Sequence, residues 1–221
     1  MKNVYLFSTV VVLLLCSFTP VQQVKDWKLV SEKDNIKVYT KEVEGRKVKS
    51  MKMTCKIEGN SLSSFVAVFQ DMSSYSDWVY SGSDPALLEK ISPQEIYYYV
   101  RSEFPWPLSD RDFVVHNKIW QDPITHTFYS KSEVLNNYLD EKKDVVRIKE
   151  FEAEWQITPL ESGGYYLQYT FYTDPAGNIP NWLVNHFLDV GPYKTIKNLE
   201  AEAKKEKYSS TSFSFVYEPK Y

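Results

Sequence analysis

The sequence predicts an α+β fold in which one curved antiparallel β-sheet is covered by a long C-terminal α-helix. Three observations lead to this prediction. Between residues 36 and 173, apolar and polar side chains alternate over several long stretches, as they do in half-buried strands. After Pro180, which suits the first turn of a helix, Leu183, Phe187 and Val190 recur at roughly helical spacing. Aromatic residues make up 16% of the chain, and Tyr and Phe favour strands. A long amphipathic helix needs a surface to cover, and the concave face of the sheet provides one.

The first part of the chain is predicted to contain short strands and two helices. Residues 27–34 are expected to form a short opening helix or turn, and 36–40 a strand. Residues 47–58 form a second strand whose apolar face carries Met51, Met53, Cys55 and Ile57. Asn60 or Ser61 then caps a helix with one apolar stripe, made of Leu62, Phe65, Phe69 and Met72. Residues 73–84 are predicted as loop and 85–90 as a short second helix.

The main strands follow at residues 94–104, 111–120, 127–135, 145–158 and 165–173. Side chains alternate along each strand, so every second residue faces the same side of the sheet. Glu150, Glu152 and Glu154 oppose the apolar set of their strand and are therefore predicted to form a solvated face. Gly191-Pro192 is expected to kink or divide the C-terminal helix, which runs to about residue 205.

The N-terminal residues are predicted to be a targeting segment. Lys2 precedes an apolar run over residues 4–18, which is short for a membrane span and has the length of a signal-peptide core. We therefore expect a signal peptide at 1–22, a domain at 23–207 and a tail at 208–221 that is either disordered or an edge strand. Residues 13–16 resemble a lipoprotein signal, which would place a lipid anchor on Cys16. A signal anchor that stays in the membrane is the alternative.

Several functional classes lack support in the sequence. The net charge of −3 and the lack of a strongly basic block argue against nucleic acid as a partner. His116, His126 and His186 have no metal-ligand spacing, and neither a phosphate-binding glycine loop nor a nucleophile-elbow serine is present. Cys55 lies on the apolar face of its strand and is expected to be a buried small hydrophobe. We therefore expect no metal, no cofactor and no catalytic residue.

One block of the sequence resembles a known family. The segment FPWPLSDRDFV at residues 104–114 is similar to the signature of START domains, the steroidogenic-acute-regulatory-protein-related lipid-transfer family. Thr158-Pro159-Leu160 and the segment DPAGNIP at 174–180 fall where similar segments occur in that family, and the order of elements agrees over residues 27–205. Within the block, Trp106, Arg111 and Asp112 are expected to be structural, with Arg111 and Asp112 forming an internal ion pair.

The resemblance implies a helix-grip fold, as in birch-pollen allergens, with a lipid-sized cavity between the sheet and the C-terminal helix. The residues expected to line it are Tyr98, Val100, Phe113, Val115, Asn117, Phe128, Phe151, Trp155, Tyr169, Phe171, Leu183 and Phe187. Sterol-binding members are similar in carrying an acid and an arginine in the cavity. Tyr98 and Asn117 stand at those places here, which supports lipid binding and weakens a specific assignment to sterol.

The expected function is to bind a lipid, fatty-acyl or sterol-like molecule and carry it across a bacterial cell envelope. The protein is expected to be a non-catalytic monomer exported to the periplasm or another extracytoplasmic space, with transient membrane contact and no nucleic-acid partner. Gly191-Pro192 and the hairpin at Asp122-Pro123 are the predicted gates. An enzyme using Tyr98, Asn117, His126 and Arg147 is one alternative. The other is an interaction scaffold with a filled core, because inner aromatic side chains alone are also consistent with an ordinary core.

Overall fold

The computed structural model describes residues 26–58, 61–180, 183 and 190–218. Within them, ten strands form one sheet: β1 Lys28–Lys33, β2 Ile36–Lys41, β3 Ser50–Ile57, β4 Gly82–Ser92, β5 Glu95–Ser102, β6 Arg111–Gln121, β7 Phe128–Val134, β8 Val146–Arg147, β9 Glu150–Pro159 and β10 Tyr165–Asp174. The helices of the described chain are α1 Leu62–Gln70, a 3₁₀ turn Met72–Ser74, α2 Tyr75–Trp78, α3 Gly191–Ala203 and α4 Glu206–Ser209.

The strand order is β1-β2-β3-β10-β9-β7-β6-β5-β4, and all of these neighbours are antiparallel. The two-residue β8 adds a short parallel pairing to β6. Pairing of β3 with β10 joins the N-terminal strands to the C-terminal ones, so the whole chain contributes to one sheet. This confirms the predicted α+β class, with a curved antiparallel sheet and a C-terminal helix.

Two predicted elements are wrong. Residues 27–34 were expected to form a helix or turn, but β1 occupies Lys28–Lys33 and pairs with β2. Residues 85–90 were expected to be helical, but they lie inside β4, which pairs with β5 at the edge of the sheet. The sequence PALLEK has good helix formers, and sheet pairing overrides that preference.

The core is divided into two apolar clusters. The larger one lies where the inner faces of β2, β3, β9 and β10 meet α1 and α3, and it includes Met53, Phe65, Ile157 and Leu199. The smaller one lies on β5 and β6 and includes Val100, Phe113 and Val115. The predicted apolar face of β3 is buried. Burial raises the pKa of the Cys55 thiol to about 12, in keeping with its predicted role as a small hydrophobe.

Helix α1 is held at its start by two side chains. The Ser61 hydroxyl accepts a hydrogen bond from the Ser64 N–H at 3.0 Å, as predicted for an N-cap. The Glu218 carboxylate accepts from the Leu62 and Ser63 N–H groups at 3.0 and 2.7 Å. A residue of the tail thus supplies a negative charge to the positive end of the helix. The tail was predicted to be either disordered or an edge strand. Its described residues 210–218 are neither, and they pack against the larger cluster through Phe213, Phe215 and Val216.

Helix α1 is joined to α4 through Asp71. Burial would raise the pKa of this carboxyl, but hydrogen bonds from Ser73, Tyr208 and Lys207 outweigh it and lower the pKa to about 2. Asp71 therefore stays ionised at neutral pH and ties the end of α1 to the C-terminal part of the chain.

The C-terminal helix is described from Gly191 onwards. Val190 precedes it, and Pro192 lies in its first turn, where a missing N–H costs nothing. Most of the predicted upstream part of this helix lies outside the described residues, so the predicted kink is not tested. Thr195 of α3 accepts a hydrogen bond from the Tyr80 N–H at 3.1 Å, which holds α3 against the segment after α2. None of the described helices has the length and apolar character needed to span a membrane.

Candidate functional site

A small cavity lies on the inner face of the sheet, between β5, β6, β7 and β9 on one side and the segment from the end of α1 to α2 on the other. Its volume is about 30 Å³. It is lined by nine residues: Phe69, Met72, Tyr75, Trp78, Tyr98, Asn117, Ser130, Ser132 and Trp155. In the described part of the chain, the wall opposite the sheet is therefore made by the short turns after α1. The resemblance had implied the C-terminal helix for this wall.

The sheet side of the cavity carries a polar cluster. Asn117 on β6 lies opposite Ser132 on β7, so their side chains share the inner face. The Asn117 Nδ2 lies within hydrogen-bonding distance of Ser130 Oγ at 2.9 Å, Ser132 Oγ at 3.0 Å and the Lys131 carbonyl at 3.1 Å, and these three acceptors share its two hydrogens. Since a carbonyl can only accept, the Lys131 contact fixes the amide nitrogen on this side. The cluster is uncharged and buried.

Aromatic rings fill the rest of the wall. Phe69, Tyr75 and Trp78, on the side opposite the sheet, meet one another and Trp155 of β9 with ring centroids 5.4–5.9 Å apart, mostly edge to face. Trp78 is 5% exposed, and its buried indole N–H has no hydrogen-bond partner among the residues that the structure describes. A buried donor without an acceptor is costly, so this atom marks a place where a ligand or water oxygen would be stabilising.

The tyrosines around the cavity are neutral. Burial raises the pKa of Tyr98 to about 12, against an opposing hydrogen bond with Ser132. Burial also raises the pKa values of Tyr75 and Tyr169 well above their ordinary value. Each phenol is thus an uncharged donor or acceptor across the physiological pH range.

The predicted cavity residues fall into four groups. Tyr98, Asn117 and Trp155 line the cavity. Neighbouring residues of the smaller apolar cluster are Val100, Phe113, Val115 and Phe151. Phe128 belongs to the larger cluster, and Tyr169 and Phe171 pack against it. Tyr169 also stacks on Trp155 at a centroid distance of 3.7 Å. Leu183 is buried, and Phe187 lies outside the described residues.

The predicted ion pair between Arg111 and Asp112 is wrong. Adjacent residues of a strand point to opposite faces, so the two side chains cannot meet across β6. Asp112 instead pairs with Arg147, whose Nε lies 2.8 Å from Oδ1, and both side chains are almost fully buried. Arg111 donates to the carbonyls of Pro175 and Ala176 at 3.1 and 3.3 Å. It therefore anchors the turn that leads towards the C-terminal helix.

Trp106 does not have the structural role that the family block suggested. It is 92% exposed, because it lies between two prolines in the loop that joins β5 to β6. The base of that loop is closed by Asp110, which accepts from the Phe104 N–H and from Arg101, both at 2.8 Å.

The candidate catalytic residues of the enzyme alternative are separated. Tyr98 and Asn117 line the cavity, but His126 is not among its lining residues. The His126 ring stacks on Tyr217 of the tail at a centroid distance of 4.2 Å. Arg147 is engaged by Asp112. The described residues thus give this set no shared acid–base site.

Six lining residues were not predicted as part of the site. Ser130 and Ser132 were identified only as strand residues, although the alternation Phe128-Ser130-Ser132 puts both hydroxyls on the inner face beside Asn117. Phe69 and Met72 were assigned to the core stripe of α1. Tyr75 and Trp78 fall in a segment predicted as loop, and no local pattern indicates that they cover the sheet.

Comparisons with known proteins agree with this architecture. The START domain family model matches residues 20–207. An uncharacterized protein of Pseudomonas aeruginosa is 28% identical over 82% of this chain and 88% of its own length. The phosphatidylcholine transfer protein of Mus musculus is 25% identical over 79% of this chain and 82% of its own length. The crystal structure of a STAR-related lipid transfer protein fragment from Xanthomonas axonopodis superposes with a TM-score of 0.72 and 27% identity, covering 81% of this chain and 99% of that one. This chain therefore belongs to the START domain family.

Proposed function

We propose that this protein binds a hydrophobic ligand, such as a lipid, fatty-acyl or sterol-like molecule, on the concave face of its sheet and carries it between membranes without catalysis. The observation that carries the proposal is a cavity with aromatic walls and a buried polar end in a chain of the START domain family. Two of its relatives bear the names of lipid-transfer proteins.

The volume of the cavity requires part of the protein to move when ligand enters. A ligand site usually has a volume of a few hundred cubic ångströms, whereas this cavity holds one or two water-sized groups. The wall opposite the sheet consists of a 3₁₀ turn of three residues and a four-residue helix. Such short elements have few internal hydrogen bonds, so they are the part that is easiest to displace. We infer that displacement of Met72–Trp78 opens the space.

The energetics suit a carrier. Burial of a sixteen-carbon chain is worth about 13 kcal/mol relative to water, at about 0.8 kcal/mol per CH₂. A bilayer offers nearly the same gain, so exchange between protein and membrane depends on the opening step. The hairpin at Asp122-Pro123 and the helix interruption at Gly191-Pro192 remain predictions for where the cavity opens. Gln121, beside that hairpin, exchanges hydrogen bonds with the Tyr217 backbone, so opening there would have to release the tail.

We further propose that the protein acts outside the cytoplasm, in the periplasm or another extracytoplasmic space. The proposal rests on the apolar segment at 4–18 after Lys2. The intact mass of the protein from its native host tests it. Cleavage near residue 22, or at Cys16 with an added diacylglyceryl group, is the expected result, and an uncleaved chain would contradict export by a removable signal.

Native mass spectrometry of the protein from its native host tests the binding proposal directly. We expect a stoichiometric lipid that is released and identified by extraction. Ser132→Met, which places a larger side chain in the cavity, should lower the bound fraction severalfold. Ser162→Met, at an exposed turn, is the matched control and should have no effect.

Lipid binding would be refuted if the protein purifies without bound lipid and also takes up no fluorescent fatty acid, phospholipid or sterol. The small volume of the cavity would then favour the scaffold alternative. Enzymatic turnover would show itself as a chemically altered ligand released from the protein.

A further inference from the structure

We propose that the polar end of the cavity selects ligands with an uncharged, hydrogen-bond-accepting head, such as the ester carbonyls and hydroxyl of a diacylglycerol, over ligands with a phosphate, carboxylate or ammonium head. This inference rests on the proposed function and specifies the ligand class for the same cavity.

The wall of the cavity carries no charged side chain in the part of the chain that the structure describes. None of the nine lining residues carries a formal charge at neutral pH. Several charged side chains lie buried elsewhere in the described chain, and each is engaged. Arg111 donates to backbone carbonyls, Asp112 pairs with Arg147, and Glu202 pairs with Lys205. A phosphate or carboxylate in this cavity would therefore lose its hydration without gaining a cation, which is strongly unfavourable.

Two donors of the cavity lack an acceptor among the described residues. The Trp78 indole N–H is buried without one. Ser130 Oγ accepts from the Asn117 amide, so its own hydroxyl hydrogen can donate, whereas the Ser132 hydroxyl is already hydrogen-bonded to Tyr98. Lys131 contributes its carbonyl to the same amide, which fixes the direction of these bonds. The cavity therefore presents donors to its contents, and a neutral acceptor satisfies them without the desolvation cost of an anion.

The cavity is also small. A volume of about 30 Å³ accommodates a carbonyl or hydroxyl group, but the four heavy-atom substituents of a phosphate or trimethylammonium group need considerably more space. We infer that Met72–Trp78 moves to admit the ligand and then returns, so that the tip of the head lies in the described cavity against the Trp78 indole and the hydrocarbon chains extend away from it along the inner face of the sheet.

A competition experiment tests the inference. Protein from the native host, freed of co-purifying lipid, is loaded with an acyl-labelled fluorescent diacylglycerol. Unlabelled dioleoylglycerol, dioleoyl phosphatidylcholine, dioleoyl phosphatidylglycerol and oleate then compete for it. The three diacyl lipids carry the same two oleoyl chains, so differences among them report on the head, whereas oleate tests a carboxylate head on a single chain. We expect dioleoylglycerol to compete at least tenfold better than the three charged lipids.

The role of Trp78 is tested with Trp78→Phe, which removes the N–H and keeps an aromatic ring. We expect diacylglycerol affinity to fall about three- to tenfold, the usual effect of one hydrogen bond. Binding of dodecylpyrene, which has no hydrogen-bonding group, should be unchanged. Trp120→Phe removes an indole N–H from the outer side, where Trp120 stacks on Tyr129, and should change neither affinity.

The outcomes separate the two proposals. Binding of none of the lipids would refute the proposed function itself. Binding that favours phosphatidylcholine, phosphatidylglycerol or oleate would leave lipid binding intact and overturn the selection of an uncharged head. Unchanged diacylglycerol affinity in Trp78→Phe would also overturn it, because the unpartnered donor would then have no part in recognition.

Discussion

Replacing Arg147 by methionine is expected to lower the free energy of unfolding by about 3–5 kcal/mol. Its guanidinium makes a two-pronged contact with Asp112, at 2.8 and 3.2 Å, and donates to the carbonyls of Leu139 and Asp140 at 2.8 and 3.1 Å. Asp112 is completely buried, so the variant would leave a carboxylate without water and without a cation. Methionine fills much of the same volume, which makes the loss mainly electrostatic rather than a cavity effect.

The neighbouring residue Lys149 provides the matched control. It forms an ion pair with Glu141 at 2.9 Å, but both side chains are about two-thirds exposed. Lys149→Met makes the same change of charge two residues along the chain and should cost less than about 1 kcal/mol. Urea unfolding followed by tryptophan fluorescence measures both variants, and the m-value shows whether unfolding stays two-state.

A double variant completes the test. Because an apolar pair can replace a buried ion pair at little cost, Asp112→Leu/Arg147→Met should be more stable than Arg147→Met alone. An Arg147→Met variant that loses less than 1 kcal/mol would refute the reasoning. So would a double variant whose loss equals the sum of the two single losses.

Two further predictions concern the ends of α1. Asp71→Asn should cost about 1–2 kcal/mol at pH 7, a value reduced for partial exposure of the carboxyl. Because the pKa of Asp71 is about 2 in the folded protein against an ordinary value of 3.8, its contribution is present above pH 3.8 and is lost as the pH falls towards 2. The difference between wild type and variant should therefore shrink by about half between pH 7 and pH 3, and a constant difference in urea unfolding would contradict the assignment. Glu218→Gln should cost about 0.5–1 kcal/mol by removing the charge at the start of α1, whereas Glu161→Gln at an exposed turn should cost nothing measurable. Equal thermal unfolding of these two variants would show that the tail does not stabilise α1.

The fold could be predicted because its main strands carry their signal locally. Residues 111–120, 127–135 and 165–173 were predicted as strands with one inner and one outer face, and the structure has strands β6, β7 and β10 there, with no boundary shifted by more than one residue. The pattern reports which side chains face inwards, so it predicts the inner face of the sheet as well as its strands. The alternation at 47–58 likewise predicted the buried face of β3.

The two wrong elements lie at the sheet edges, where that signal is weak. In β1, Leu29 and Val30 are consecutive and both about half exposed, so the strand shows no alternation. In β4, the register with β5 shifts three times, which disrupts the period of two. The secondary structure of these segments is decided by pairing with a neighbouring strand. The local sequence pattern does not contain information about that partner.

The same limit of local patterns applies to the candidate site, where some lining residues could be predicted and others could not. Tyr98 and Asn117 could be found from the sequence because the alternation places them on the inner faces of β5 and β6, where the family resemblance predicted polar groups in the cavity. The two serines of β7 complete the polar wall through hydrogen bonds across the sheet, and Trp78 approaches from a short helix on the opposite side. These contacts join separate segments, so local reasoning missed them.

The lack of charge at Tyr98 and Asn117 nevertheless has a consequence that the sequence already shows. A phenol and an amide can hydrogen-bond a ligand but cannot pair with an ion. The structure adds that the residues around these two, Ser130, Ser132 and Trp78, are also uncharged, so the described wall of the cavity as a whole is neutral.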